Sequence, residues 1–377
     1  TAAPLVKAEE PTEIRLPEGP SDWVVMAYMA GDNNLAEEMV LALQDVQARA
    51  LWQYVQIYAQ FDPSALGIPT QRYALVKTIS DVGAPNPPHP AHANSDGLIS
   101  DTQLPALEAD HRNYYLEDYQ LTPPECFVET NTGNPNALAG FVRWALEDEK
   151  ALRKKPPDED YPLEPPTADY YMLLLSGHGS GATEDFLLKD EAAEDSLTIP
   201  EFRKALRRAI AWSPKLWKRY MAGQAPIDIL GMDACFMSMI EVCYSLRFAA
   251  KYLVGAEGYE PAMGWPYLRI LDHALTLRQG QALPPEKLAK VIVQQYINFY
   301  ADHERTSDRS VDLAAVKLEN VGSLADLLSS LAVVLINALD EAEFLDQIVL
   351  AHWRAQTYKF NQFVDIRRLC HELWRGF

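Results

Sequence analysis

Basic residues are scarce in this sequence. Its 33 lysines and arginines face 53 aspartates and glutamates, a formal net charge of −20 over 377 residues. Affinity for nucleic acid or an anionic membrane rests on Lys and Arg, so neither partner is expected. Cysteine is scarcer, with four in the chain: Cys126, Cys235, Cys243 and Cys370. So few exclude a disulfide framework, and the lack of any C-x-x-C pair argues against a structural zinc site. No uninterrupted apolar run approaches the roughly 18 residues of a membrane span. The chain starts at Thr1 rather than Met, which reads as a trimmed product whose leader would not be visible. On this basis a cytoplasmic monomer is expected ahead of a secreted protein.

Apolar material is plentiful at 48%, enough for a large core. Its arrangement is informative at two places. Tyr171, Met172, Leu173, Leu174 and Leu175 form an apolar run that stops at Ser176-Gly177-His178-Gly179-Ser180-Gly181. Such a run, bounded by turn residues, reads as a strand buried on both faces, with His178 in a tight loop at its carboxyl end. Ile227 to Met232 repeats the pattern and ends in Asp233-Ala234-Cys235, followed by helical spacing at Met239, Ile240, Cys243 and Leu246. That reading puts Cys235 close to a helix amino terminus, which would lower its thiol pKa toward neutrality. Ligands bind at the carboxyl ends of strands in open α/β sheets. If these two strands are neighbours, their tips form a Cys-His dyad.

The rest of the chain alternates strands and helices. Strands are expected at Trp23 to Ala30, Tyr54 to Phe61, Arg72 to Ile79, Tyr252 to Ala256 and Ser310 to Val316. Helices are expected after Asn33, after Pro135, behind the capping box Thr198-x-x-Glu201, over 284–300, over a stretch with Leu324, Leu327, Leu331 and Leu335 inward, and near 364–374. The alternation predicts an α/β fold, a mostly parallel sheet with helices on both faces. Residues 1–21 read as a loose arm. Residues 22–377 read as one domain, with a long insertion loop at about 80–125 and a charged, proline-rich linker at about 150–167.

Several stretches, WVVMAYMAGDNNL at 23–35, LLLSGHGSG at 173–181, ILGMDACFMSMIEV at 229–242, GAEGYEPAMGWPY at 255–267 and SVDL at 310–313, resemble the clostripain family of cysteine peptidases, in the caspase, gingipain, legumain and separase group. The resemblance implies a caspase-like three-layer sandwich and peptide-bond hydrolysis by a bacterial thiol protease. It assigns Cys235 as nucleophile and His178 as acid–base partner. It further implies cleavage after Arg or Lys and activation by self-cleavage. Calcium is a cofactor of some relatives, but no calcium-loop pattern is present here.

Thiol-based hydrolysis needs a thiolate, a proton donor for the leaving amine, and hydrogen-bond donors for the oxyanion worth about 3–4 kcal/mol each. Cys235 and His178 supply the first two, and the amides of Gly179 and Cys235 are candidates for the third. No third catalytic side chain is assigned. Asp233 precedes Cys235 by two, on the same face of a strand, where its carboxylate would pair with an incoming Arg or Lys. The plainer reading of Asp233 is a helix cap. Glu257, Glu260 and Trp265 are candidates for the opposite wall of the same pocket. Lys189, at the start of an acidic loop, is the expected processing site, with Arg153-Lys154-Lys155 as the alternative. Two other readings stand beside this one: a catalytically silent interaction module of the same fold, and a peptidase with another pocket preference, such as Asp.

Overall fold

The computed structural model describes residues 21–49, 55–64, 70–75, 130–147, 168–184, 186–278, 281–307, 310–359 and 361–376. The expected arm, insertion loop and linker, including Arg153 to Lys155 and Cys126, fall outside the described residues.

The elements run β1 (Ser21–Gly31), α1 (Ala36–Arg49), β2 (Val55–Pro63), β3 (Gln71–Leu75), α2 (Pro135–Glu147) and β4 (Ala168–Ser176). A one-turn α3 (Gly181–Glu184) leads into β5 (Leu187–Asp190) and β6 (Asp195–Leu197), then α4 (Ile199–Trp212) and α5 (Pro214–Met221). Next come β7 (Ile227–Asp233), α6 (Ile240–Leu246), β8 (Ala250–Gly255), α7 (Tyr267–Arg278) and α8 (Pro285–Ser307). The chain closes with β9 (Ala314–Lys317), α9 (Val321–Ala338), α10 (Ala342–Arg354), β10 (Thr357–Tyr358), β11 (Phe363–Val364) and α11 (Ile366–Gly376).

Seven strands form one sheet in the order β3-β2-β1-β4-β7-β8-β9. The five inner strands are parallel, and β3 and β9 pair antiparallel at the two edges. Alternation along β1 shows why the inner strands are apolar throughout. Val24, Met26, Tyr28 and Ala30 enter one core with Phe141 and Trp144 of α2 and Phe202 and Leu206 of α4. Trp23, Ala27 and Met29 enter the other core with Met39 of α1, Ile270 of α7 and Ile292 of α8. Helices thus cover both faces, the expected three-layer arrangement. Thr198 and Glu201 form the predicted capping box, each side chain bonding the other's backbone N–H.

Three expectations require correction. The helix after Cys235 begins at Ile240 rather than at the cysteine, because residues 234–238 form turns first. Leu324 and Leu327 of α9 face outward instead of into the core. That helix is nearly all apolar, so its periodicity marks no inner face. Counting uninterrupted apolar residues also understates it: Leu318–Ala338 is long and apolar enough to cross a membrane by length and composition, and 6% of its 18-residue apolar window is buried.

Candidate active site

Strand pairing decides the geometry. β4 and β7 lie side by side in register, with Ser176 opposite Asp233. His178 and Cys235 each sit two residues beyond those partners, so both occupy equivalent positions on adjacent strand tips, where neighbouring strands are about 4.8 Å apart. Gly177 N–H donates to the Asp233 carbonyl at 3.2 Å, tying the loops together. Gly179 makes the contact closest: a Cβ there would lie 2.7 Å from the Cys235 carbonyl oxygen. Only glycine fits between the two tips.

The loop bearing His178 is held by β5. Ser180 N–H donates to the Phe186 carbonyl, and Leu188 N–H donates to the His178 carbonyl. This pairing leaves the Gly179 N–H outside it, turned neither to Phe186 nor to Leu188. The imidazole is fixed from the other side. His178 Nε2 lies 2.7 Å from Oδ1 of Asn34, in the turn between β1 and α1. An amide oxygen only accepts, so Nε2 carries the proton and Nδ1 keeps its lone pair. Burial pushes the His178 pKa below its ordinary 6.5, and the Lys189 ammonium adds to that, against an opposing pull from Glu191. By sequence Asn34 suits a helix cap, as Asn33 does. Its neighbour Asn33 does the capping, accepting the Leu35 N–H at 2.9 Å and donating to the Ala30 and Lys189 carbonyls.

Cys235 is partly buried, and its sulfur accepts the Glu260 N–H at 3.2 Å. The expected acidic thiol is not found. Burial pushes the Cys235 pKa up to about 11, with the carboxyls of Glu260 and Asp233 adding to the rise. The reason is the late helix start: the peptide dipoles that would favour a thiolate begin five residues too far along. The resting pair is therefore a thiol and a neutral imidazole. Phe236, next in the chain, has φ of 62°, a left-handed backbone that is uncommon for a bulky residue. Its ring packs edge-on against Tyr259 and Phe363, which holds the sharp turn after the cysteine.

Beside the thiol lie two acidic side chains, Asp233 and Glu260. Asp233 is 6% exposed; its Oδ2 accepts from Ser176 Oγ at 3.1 Å and from the Tyr267 hydroxyl at 2.5 Å. It caps no helix. Glu260 Oε1 accepts from Trp265 Nε1 at 3.2 Å. Desolvation raises the pKa of both carboxyls, well above the usual range for Glu260. Trp265 is in the core rather than lining an open cleft, and it holds Glu260. Gly264 (φ 61°) passes over Asp233 so closely that a Cβ would stand 2.7 Å from its carboxylate.

Glu257 belongs to a separate cluster. Its carboxylate accepts from the Tyr358 hydroxyl at 2.7 Å, and Asp312 accepts the Glu257 and Gly258 N–H groups. It does not join Asp233 and Glu260. Lys189 lies in β5, half exposed, in an ion pair with Glu191 at 2.9 Å, and the turn after it is tied to Asp32 through the amides of Glu191 and Ala192. It therefore sits in a compact hairpin. Among the described residues no group of three or more His, Cys, Asp or Glu is placed to hold a metal ion. Cys243 is fully buried, its thiol pushed up to about 12.

Comparisons with known proteins bear on the fold and the family. Clostripain from Hathewaya histolytica is 24% identical over 195 residues, covering 46% of this chain. The chain thus spans about a third of that relative's length, 31%. A secreted C11 cysteine protease from Bacteroides thetaiotaomicron, solved with an irreversible peptide inhibitor, is similar over 94% of this chain and 78% of its own, with TM-score 0.56 and 17% identity. An inactive zymogen C11 protease from Parabacteroides distasonis covers 95% of this chain and 82% of its own, with TM-score 0.51 and 16% identity. At such identities these two speak for the fold. The model of the clostripain family matches residues 161–371, which take in both strand tips and the two acidic side chains beside them. This chain belongs to the clostripain family.

Proposed function

We propose that the chain is a cysteine endopeptidase that cleaves after Arg or Lys. The observation that carries the reading is the β4–β7 register, which sets His178 and Cys235 on adjacent tips. Asn34 Oδ1 accepts a hydrogen bond from the protonated Nε2 of His178, so Nδ1 is the base that removes the thiol proton as the sulfur attacks the carbonyl carbon. A thiol that rests protonated is spared from oxidation and becomes nucleophilic when substrate closes the site. The Gly179 N–H, free of the β5 pairing, and the Cys235 N–H stabilise the oxyanion. The imidazolium then returns its proton to the leaving amine, and water hydrolyses the acyl-enzyme by the same base.

Asp233 ends β7 two residues before Cys235, within reach of an Arg or Lys side chain whose carbonyl meets the thiol. With Glu260 it gives the pocket a negative floor. Glu257 is assigned no contact with substrate. Self-cleavage at Lys189 requires the β5–β6 hairpin to peel from Asp32 and Asn33 first, so the intact hairpin is proposed to hold the zymogen closed. The partner is a peptide or protein with a basic residue at the cleavage site.

A peptidyl-arginine chloromethyl ketone tests the assignment. Mass spectrometry should place one adduct on Cys235 and none on Cys243 or Cys370, and His178→Ala should abolish it. An adduct elsewhere, or an unreactive Cys235 in a protein cut at Lys189, would reject the dyad and favour a silent interaction module.

A further inference from the structure

α9 presents an apolar seam that the described residues do not cover. Leu324, Leu327, Leu331, Val334 and Ala338 recur at alternating spacings of three and four, the pattern into which a facing helix packs. Part of the seam closes a groove of about 460 Å³ with Phe344 of α10 and Cys370, Leu373 and Trp374 of α11. The rest is bare: Leu327 is 68% exposed, Val334 63% and Trp374 79%. At ~100 Å² per aliphatic side chain and ~200 Å² for a tryptophan, the face offers on the order of 600 Å² of apolar surface, against the roughly 800 Å² that each partner of a standard interface buries. Patches of that size mark interaction sites.

The charges along the groove point to the occupant. α10 and α11 run antiparallel: the Asp365 N–H donates to the Gln356 carbonyl at one end, and Gly376 lies against Gln347 toward the other. Glu341, three residues before Phe344, therefore stands at one end of the groove, and Arg367, three residues before Cys370, toward the opposite end. Both are exposed, and among the described residues neither is in an ion pair. A two-fold axis through the groove sets Glu341 of each copy against Arg367 of the other. A lipid surface fits less well, because Ser323, Asp326 and Ser330 are exposed on the same helix and the chain carries a net charge of −20. We propose that this face is the interface of a homodimer, the α9 seam of each copy packing on the α9–α11 groove of the other. The dimer replaces the monomer expected from composition, and it is independent of which peptide bond is cut.

Sedimentation velocity on the full chain tests this. It should show a monomer–dimer equilibrium with Kd on the order of 1 µM or tighter. Glu341→Arg and Arg367→Glu should each weaken the dimer about tenfold, and the two together should restore it, since the exchange rebuilds the pair with its signs reversed. Leu327→Glu combined with Val334→Glu, both at exposed positions, should leave a monomer with an unchanged circular dichroism spectrum. Cys370, inside the groove, should react with a maleimide several times faster in that monomer than in the dimer. A chain that stays monomeric at about 100 µM would overturn the proposal. So would a dimer that survives Leu327→Glu with Val334→Glu, or charge reversals that have no effect or fail to rescue each other. Flotation of the monomer with phosphatidylcholine vesicles would also overturn it, by giving the face to lipid.

Discussion

Two pairs of carboxyl groups flank the end of β8, and they are built differently. Glu257 and Asp312 are quieted by donors: the Tyr358 hydroxyl takes Glu257, and two backbone N–H groups take Asp312. Their bonds join a loop to the carboxyl-terminal hairpin. Asp233 and Glu260 lie beside the nucleophile: Asp233 accepts from Ser176 and Tyr267, Glu260 accepts from Trp265 Nε1, and the Glu260 N–H donates to the Cys235 sulfur. The first pair fastens two segments, and the second is the pair proposed to meet a basic side chain. Acidic composition is equal in both, so charge alone does not mark a binding site. What differs is what each pair adjoins, the carboxyl-terminal hairpin in one case and the nucleophile in the other.

The comparison can be broken by substitution. Asp233→Asn should have the largest effect, lowering kcat/KM for arginine substrates about 100-fold or more, since a buried charge-assisted bond is worth about 3 kcal/mol. Unchanged arginine preference would remove Asp233 from the pocket. Gly264→Ala should follow, at about 30-fold, because a Cβ would push against the Asp233 carboxylate and the left-handed backbone would be strained. Its loss should fall on KM. Asn34→Ala, on the far side of the dyad, should cost about tenfold in kcat with KM held, and move the acid limb of the kcat profile. Burial holds His178 below 6.5, so it stays neutral at pH 7 and activity should fall only as pH drops through that lowered value. Glu257→Gln should have the smallest effect, under threefold on kcat/KM, and show itself as a small loss in thermal stability. A change in arginine selectivity from that variant would erase the distinction between the two pairs.

Much of this was legible in residue order. Buried parallel strands announce themselves by apolar runs, and the turn residues after Leu175 and Met232 mark the tips that carry His178 and Cys235. The capping box at Thr198 and Glu201 was also readable, because it is a local bond with a fixed spacing. Features that depend on distant packing were not. The antiparallel edges of β3 and β9 follow from connections that sequence does not reveal. The thiol was expected to be acidic because Cys235 was read as close to the amino terminus of the helix that follows; residues 236–239 intervene, and burial governs its titration. Asn34 looked like a cap because Asn33 and Asn34 are adjacent and both suit that role, and only the fold brings one of them to the imidazole 144 residues away.

The central claim is that Cys235 and His178 hydrolyse peptides whose basic side chain enters the Asp233–Glu260 pocket. Its most direct measurement is kcat/KM for four fluorogenic peptides that differ only before the scissile bond, carrying Arg, Lys, citrulline or Asp, under reducing conditions, with Cys235→Ala as control. The account predicts turnover of Arg and Lys, at least 100-fold less for citrulline, none for Asp, and none for the variant, the citrulline gap being the same roughly 3 kcal/mol bond. Citrulline or Asp cleaved as fast as Arg, or activity surviving in Cys235→Ala, would contradict it.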